Sequence, residues 1–225
     1  MFSDMFYKLL ENHIFLIGIW ETLYMTLIST AFAYILGLPL GILLNVTDRD
    51  GICPMPKFNS VLGAVVNAFR SVPFIILMVA LLPVSKILIG TSLGNAAMIV
   101  TLIIAAAPYV ARMTESSFKE VDAGVIEAAQ AMGTPTFKII TKVLLPEAKP
   151  ALIVGAVIST VTILGYSAMA GTIGGGGLGQ IAISYGYQRY NDDIIWVCVA
   201  LTIIIVQILQ EIGMALARRT DKRIR

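Results

Sequence analysis

The chain has 225 residues, of which 57% are hydrophobic and 13% charged, and its mean hydropathy is +0.85. So much apolar surface excludes a water-soluble globular domain and makes a lipid bilayer the solvent. The formal net charge is +2, but the basic residues form no stripe and sit in loops between apolar runs, which excludes nucleic-acid binding.

In chain order, residues 1–12 lack a basic start and a small-residue cleavage site and carry Asp4 and Glu11. They do not read as a cleavable signal, so the first span is expected to remain as an anchor. His13, the only histidine, is placed near the outer end of that span as a headgroup-level polar residue. A helix needs about 20 residues to cross the hydrocarbon. By that ruler five spans are predicted: 22–46, with Gly37, Pro39 and Gly41 in its inner half; 61–82 or 71–89, with ends blurred by Arg70, Pro73 and Pro83; 96–110; 151–170; and 194–215. Glu21, Asp192, Asp193 and Glu211 are all read as lying near span ends, with no acid mid-span. An ion-coupled secondary transporter ordinarily needs intramembrane carboxylates or broken helices, so this pattern argues against one. Arg70 is read either as snorkelling to the cytoplasmic interface or as lining the cytoplasmic mouth.

Orientation follows from the loop cations. Arg49, Lys57, Arg112, Lys119, Lys138, Lys142, Lys149, Arg218, Arg219, Lys222, Arg223 and Arg225 fall on one side, against Lys8, Lys86 and Arg189 on the other. The N-terminus is therefore expected outside and the C-terminus in the cytoplasm. Cys53 and Cys198, the only cysteines, then lie near opposite faces, too far apart for a disulfide within one chain.

Between the third and fourth spans lie about 35 patterned residues. Asp122 is expected to cap a helix over 123–132, with Gly133 in the left-handed position that ends it. Thr134 and Pro135 should restart a helix as cap and first residue, and Pro146 and Pro150 should stop it. Val125, Ile126, Ala129 and Met132 are assigned to one amphipathic face, leaving Glu127 free to meet a partner.

Within this segment Glu127, Ala128 and Ala129 are followed, after three residues, by Gly133, and after nine more by Val143, with Leu145 and Pro146 one residue beyond. The pattern resembles the cytoplasmic signature of permease subunits of bacterial ABC importers, with Val143 where isoleucine is usual. The runs 69–74, 121–129 and 168–180 look like the methionine-importer branch of that family, as does the five-span plan. The resemblance implies an all-α polytopic membrane protein with the type I ABC importer permease fold. It would be one transmembrane permease domain over 1–225, with a cytoplasmic coupling helix-turn-helix at about 114–149. It further implies a homodimer in the bacterial cytoplasmic (inner) membrane. Two cytoplasmic ATP-binding subunits and an extracytoplasmic substrate-binding lipoprotein would be its partners. The substrate would be an amino acid, methionine first, and the chain itself would be neither an enzyme nor a cofactor or metal binder.

Gly174, Gly176 and Gly179 match a G-x-G-x-x-G spacing, but an apolar helix precedes them and no βαβ unit follows. They read instead as a flexible, tightly packed outer loop. No G-x-x-x-x-G-K-[ST] run exists to cradle ATP phosphates, so the energy source is expected on another chain. The fourth span carries Ser159, Thr160, Thr162, Tyr166, Ser167 and Met169, the mixture of a helix that packs closely or lines a passage. Tyr166, Ser167, Met169 and Arg70 are the candidate path residues, with Met169 expected near its twin on the dimer axis. The competing reading is an ATP-independent secondary transporter or channel for a small neutral solute.

Overall fold

The computed structural model describes residues 4–220; Lys222, Arg223 and Arg225, counted above on the basic side, lie outside the described residues. Helix α1 (Asp4–Glu11) ends where the Asn12 side-chain amide donates to the Lys8 carbonyl at 2.9 Å. His13, at φ +56, forms the elbow into α2 (Ile14–Val46). The first span thus starts at Ile14 rather than residue 22, because Glu21 and Thr22 are accommodated inside the helix.

The second apolar segment is a broken pair, α3 (Pro56–Ser71) and α4 (Phe74–Ile89). Pro73 sits at φ −53, ψ 132, and a proline drives the residue before it out of the helical region. The break falls inside both expected ranges, 61–82 and 71–89, so neither stands as a continuous helix. Helix α5 (Asn95–Lys119) runs well beyond residue 110. Then come α6 (Ala123–Ala131), α7 (Thr136–Ile139), a π-turn at Ile140–Leu144 and α8 (Leu145–Ala170). The glycine stretch expected as an outer loop is non-helical over 171–177 and then folds as α9 (Leu178–Ile181) and a second π-turn at Ala182–Tyr187, before α10 (Asp192–Thr220). Among the described residues, four helical runs are long and apolar enough to cross a membrane, or five when the broken pair is taken as one span.

The helices run past the acids that close the apolar windows: Glu21 lies inside α2 and Glu211 inside α10, while Asp192 and Asp193 open α10. A hydropathy window closes at the first charge, whereas a helix continues as long as its backbone bonds and side-chain partners allow.

The chain forms two compact units. One comprises the described residues up to Ala33 with Val72–Ala106 and Thr160–Leu209. Its core holds a cluster of Leu9, Phe15, Leu178, Ile181, Ile194 and Cys198, and another of Met25, Met78, Met98 and Leu102. The other unit comprises Tyr34–Ser71, Ala107–Ser159 and the described residues from Gln210 on. There Gly37 and Gly41 on α2 face Val110 and Thr114 of α5 so closely that an added Cβ would overlap them. Small residues at four-residue spacing let apolar helices approach, and dispersion then holds them where the hydrophobic effect cannot. Both cysteines are free, Cys53 exposed and Cys198 buried.

Candidate functional site

The segment between α5 and α8 belongs to the second unit, and its ends are built as the residues dictate. Asp122 caps α6, its Oδ1 accepting from the Gly124 N–H at 2.8 Å. Such a cap contributes about 1 kcal/mol to a helix too short to persist alone. At the other end Gly133 takes φ +72, its N–H donates to the Gln130 carbonyl at 2.9 Å, and the Thr134 N–H donates to Ala129 at 3.2 Å. That pair of bonds closes the last turn and needs a residue tolerant of positive φ at its centre. Thr134 is not the cap of α7: the helix starts at Thr136, and Pro135, at φ −67, ψ 146, takes the cap position, its carbonyl accepting from the Lys138 and Ile139 N–H groups.

Nor do Pro146 and Pro150 stop the second helix, since one helical run extends over Thr136–Ala170. The π-turn makes this possible. The Leu145 N–H reaches five residues back to the Ile140 carbonyl, and the wider turn gives room for a proline that has no N–H to return.

The amphipathic face also differs from expectation. Ile126 and Ala129 point inward, whereas Val125 is 42% and Met132 77% exposed. Ile126 packs with Leu145 against a buried cluster of Val46, Phe118, Val121, Leu144 and Ala148, so both halves of the signature share one root. Glu127, Ala128, Gly133 and Pro146 are exposed, and Val143 is half-buried. Phe137, 75% exposed, adds an aromatic ring to the same segment.

Beside α6 lies a cavity of about 450 Å³ lined by Asp48, Asp50, Lys119, Glu127 and Gln130, among others. Asp48 and Lys119 of its lining belong to a chain of charges that sequence inspection missed. Arg112 Nη1 meets Glu115 Oε2 at 2.6 Å, Glu115 Oε1 meets Lys119 Nζ at 2.9 Å, and Lys119 Nζ meets Asp48 Oδ2 at 3.2 Å. Arg112 also donates to the Gly63 carbonyl of α3 at 3.1 Å. The Arg49 N–H, aided by Lys119, holds the Asp48 carboxyl below its ordinary value. The available signal was the i, i+3 and i, i+4 spacing of Arg112, Glu115 and Lys119, which places all three on one helix face.

In the first unit, Tyr166 stacks on Phe74 with ring centroids 3.8 Å apart and planes 6° from parallel. Ser167 Oγ donates to the Leu164 carbonyl at 2.8 Å and lies 3.4 Å from Thr26 Oγ1. Met169 is 45% exposed. Arg70 belongs to the second unit, exposed in the last turn of α3.

The glycine run is held by residues of α2 and of the start of α5. Glu21 Oε1 accepts from Asn95 Nδ2 at 2.8 Å and Oε2 from the Gly177 N–H at 2.7 Å. Asn95 Oδ1 accepts from the Gly176 N–H at 2.6 Å, and Thr22 Oγ1 from Leu178 at 2.9 Å. An acid within an apolar helix and a run of glycine amides without side chains are complementary signals, but only the fold brings them together.

Residues 37–225 match the family described as binding-protein-dependent transport system inner membrane component. Among similar proteins, one from Vibrio cholerae, described as "Probable D-methionine transport system permease protein MetI", is 50% identical over 214 residues, 95% of each chain. The methionine import system permease protein MetP of Bacillus subtilis is 47% identical over 204 residues, 91% of this chain and 92% of that one. A chain from the solved inward-facing MetNI methionine ABC transporter superposes with a TM-score of 0.91 at 43% identity, covering 98% of this chain and 100% of that one.

Proposed function

This chain belongs to the family of binding-protein-dependent transport system inner membrane components, and on that premise we propose that it is the transmembrane permease subunit of an ATP-driven methionine importer. Relatives at 50% and 47% identity, aligned over nearly their whole length, are named for methionine, which supports that substrate over other amino acids.

Two copies form the path, two ATPase subunits grip them from the cytoplasm, and a receptor delivers substrate from outside. Among the described cations, Arg49, Lys57, Arg112, Lys119, Lys138, Lys142, Lys149, Arg218 and Arg219 lie on the cytoplasmic side under this orientation, against Lys8, Lys86 and Arg189 outside. The N-terminus is then external and the C-terminus internal.

One observation carries the coupling role. Helix α6 is rooted in a buried cluster by Ile126, with Ala129 also buried, while presenting Glu127, Ala128, Met132 and Gly133 outward. A short helix that is anchored on one side and offers small and acidic residues on the other is suited to seat in a cleft of another chain. Val143, Leu145 and Pro146 complete the mount by continuing it into α8. ATP binding draws the two ATPases together, and the seated helices carry that displacement into the permeases, shifting them between inward- and outward-open states. Tyr166, Ser167, Met169 and Arg70 serve the path. Met169 has a flexible, polarizable side chain suited to closing an apolar constriction against its twin.

The test is methionine uptake in cells carrying Glu127→Lys together with Gly133→Pro, beside a strain that lacks the ATPase. Uptake should be lost in both. Undiminished uptake without the ATPase would make this chain a self-sufficient transporter and end the reading.

A further inference from the structure

Four charged side chains at the end of α5 and just after α2 form a linear series that balances its own charge. Arg112 and Lys119 flank Glu115 at 2.6 and 2.9 Å, and Lys119 passes on to Asp48 at 3.2 Å. Two cations and two anions sum to zero. The hub is Glu115, whose side chain is only 9% exposed, whereas those of Lys119 and Asp48 are 53% and 39% exposed. A buried carboxylate without its cations would be costly, so the hub holds its partners more firmly than a surface pair does.

The series joins three elements. Glu115, Arg112 and Lys119 stand on the last turns of α5, Asp48 follows the end of α2, and Arg112 reaches the Gly63 carbonyl of α3 at 3.1 Å. The same end of α5 carries Phe118, which with Val121 forms the buried floor under Ile126 of α6. A push on α6 is therefore received by the end of α5 together with Val46 at the end of α2 and with Leu144 and Ala148. The charges tie the end of α5 to α3 and to the residues after α2, so that these elements take up the displacement together. With the charges broken, the end of α5 keeps its apolar packing but loses those polar ties, and part of the displacement is absorbed there.

We infer that Glu115 is a positioning residue for transport, the buried hub of an Arg112–Glu115–Lys119–Asp48 clamp that makes the coupling helix's mount rigid enough to turn ATPase motion into substrate movement. The inference rests on the proposed importer reading, which assigns α6 to the ATPase.

The experiment uses the whole importer, this chain with its ATPase and receptor in proteoliposomes, and reads methionine moved per ATP hydrolysed. Glu115→Gln keeps the side-chain volume and removes both ion pairs. The expected result is an assembled complex that still hydrolyses ATP but moves about tenfold less methionine per ATP, the scale of a typical coupling free energy. Lys119→Met, which breaks two of the three pairs, should lower the ratio similarly, and Asp48→Asn, which breaks only the outermost, by less. A merely structural defect would lower hydrolysis and transport together and leave their ratio intact. Should Glu115→Gln fail to assemble, the two exposed positions decide: a lowered ratio upholds the clamp, and a wild-type ratio in both overturns it. Failure of the importer reading is separable, because it would appear in the unmodified protein as uptake that ignores ATP.

Discussion

Glu21 shows how one side chain inside an apolar helix can organise a distant loop. Its two oxygens each accept from a different donor, Asn95 Nδ2 at 2.8 Å and the Gly177 N–H at 2.7 Å. The chain at Gly174 and Gly177 runs at φ +120 and +93, leaving amides aimed at acceptors rather than into a helix. Gln at position 21 could accept only through its carbonyl oxygen, and its NH₂ would face a second donor. Glu21→Gln should therefore lower stability by about 1 kcal/mol, the lower end of the cost of an unpaired donor, because both hydrogen bonds are half-buried. Thermal unfolding in detergent checks this; an unchanged midpoint would mean that the loop holds itself without the acid.

At the scale of elements, the coupling helix is short, and its ends do more for it than its interior. Asp122 supplies the start and Gly133 the stop, and the space around Gly133 is open enough that a Cβ would meet nothing within 4 Å. The cost of Gly133→Ala is then backbone strain at φ +72 alone, about 1–2 kcal/mol. Gly133→Asn should cost less, because asparagine tolerates the left-handed region. If the turn orients α6 for its partner, ATPase copurification should fall in the order Gly, Asn, Ala at this position. Equal recovery of all three would show that the turn's geometry is dispensable. The π-turn at Ile140–Leu144 plays the complementary part, letting one helix pass through Pro146 and tie the signature's second half into a membrane-crossing run.

At the scale of the whole molecule, the proposal stands or falls on which side of the membrane the loops face. The protein carries its own probe: Cys53 is exposed in the connection between α2 and α3, while Cys198 is buried. A membrane-impermeant thiol reagent should label the protein in inverted vesicles and leave it unlabelled in intact cells. Labelling in intact cells would reverse the orientation and detach α6 from any cytoplasmic motor.

Composition alone was enough to specify a helical membrane protein, because hydrocarbon forces every backbone group to be satisfied within its own segment and makes apolar length readable. The cap at Asp122, the stop at Gly133 and the spacing of Glu127, Ala128, Ala129 and Leu145 were legible as well, since they are local chemistry of neighbouring residues. What neighbours cannot specify came only from the tertiary structure. Ile126 and Ala129 turn inward while Val125 and Met132 turn outward, and Val46 and Phe118 belong to the surface on which Ile126 packs. Glu21 stays within its helix because Asn95 and Gly177, remote in sequence, arrive to pair it. A charge in an apolar run reads as an end until its partner is known, and partners remote in sequence are chosen by the fold.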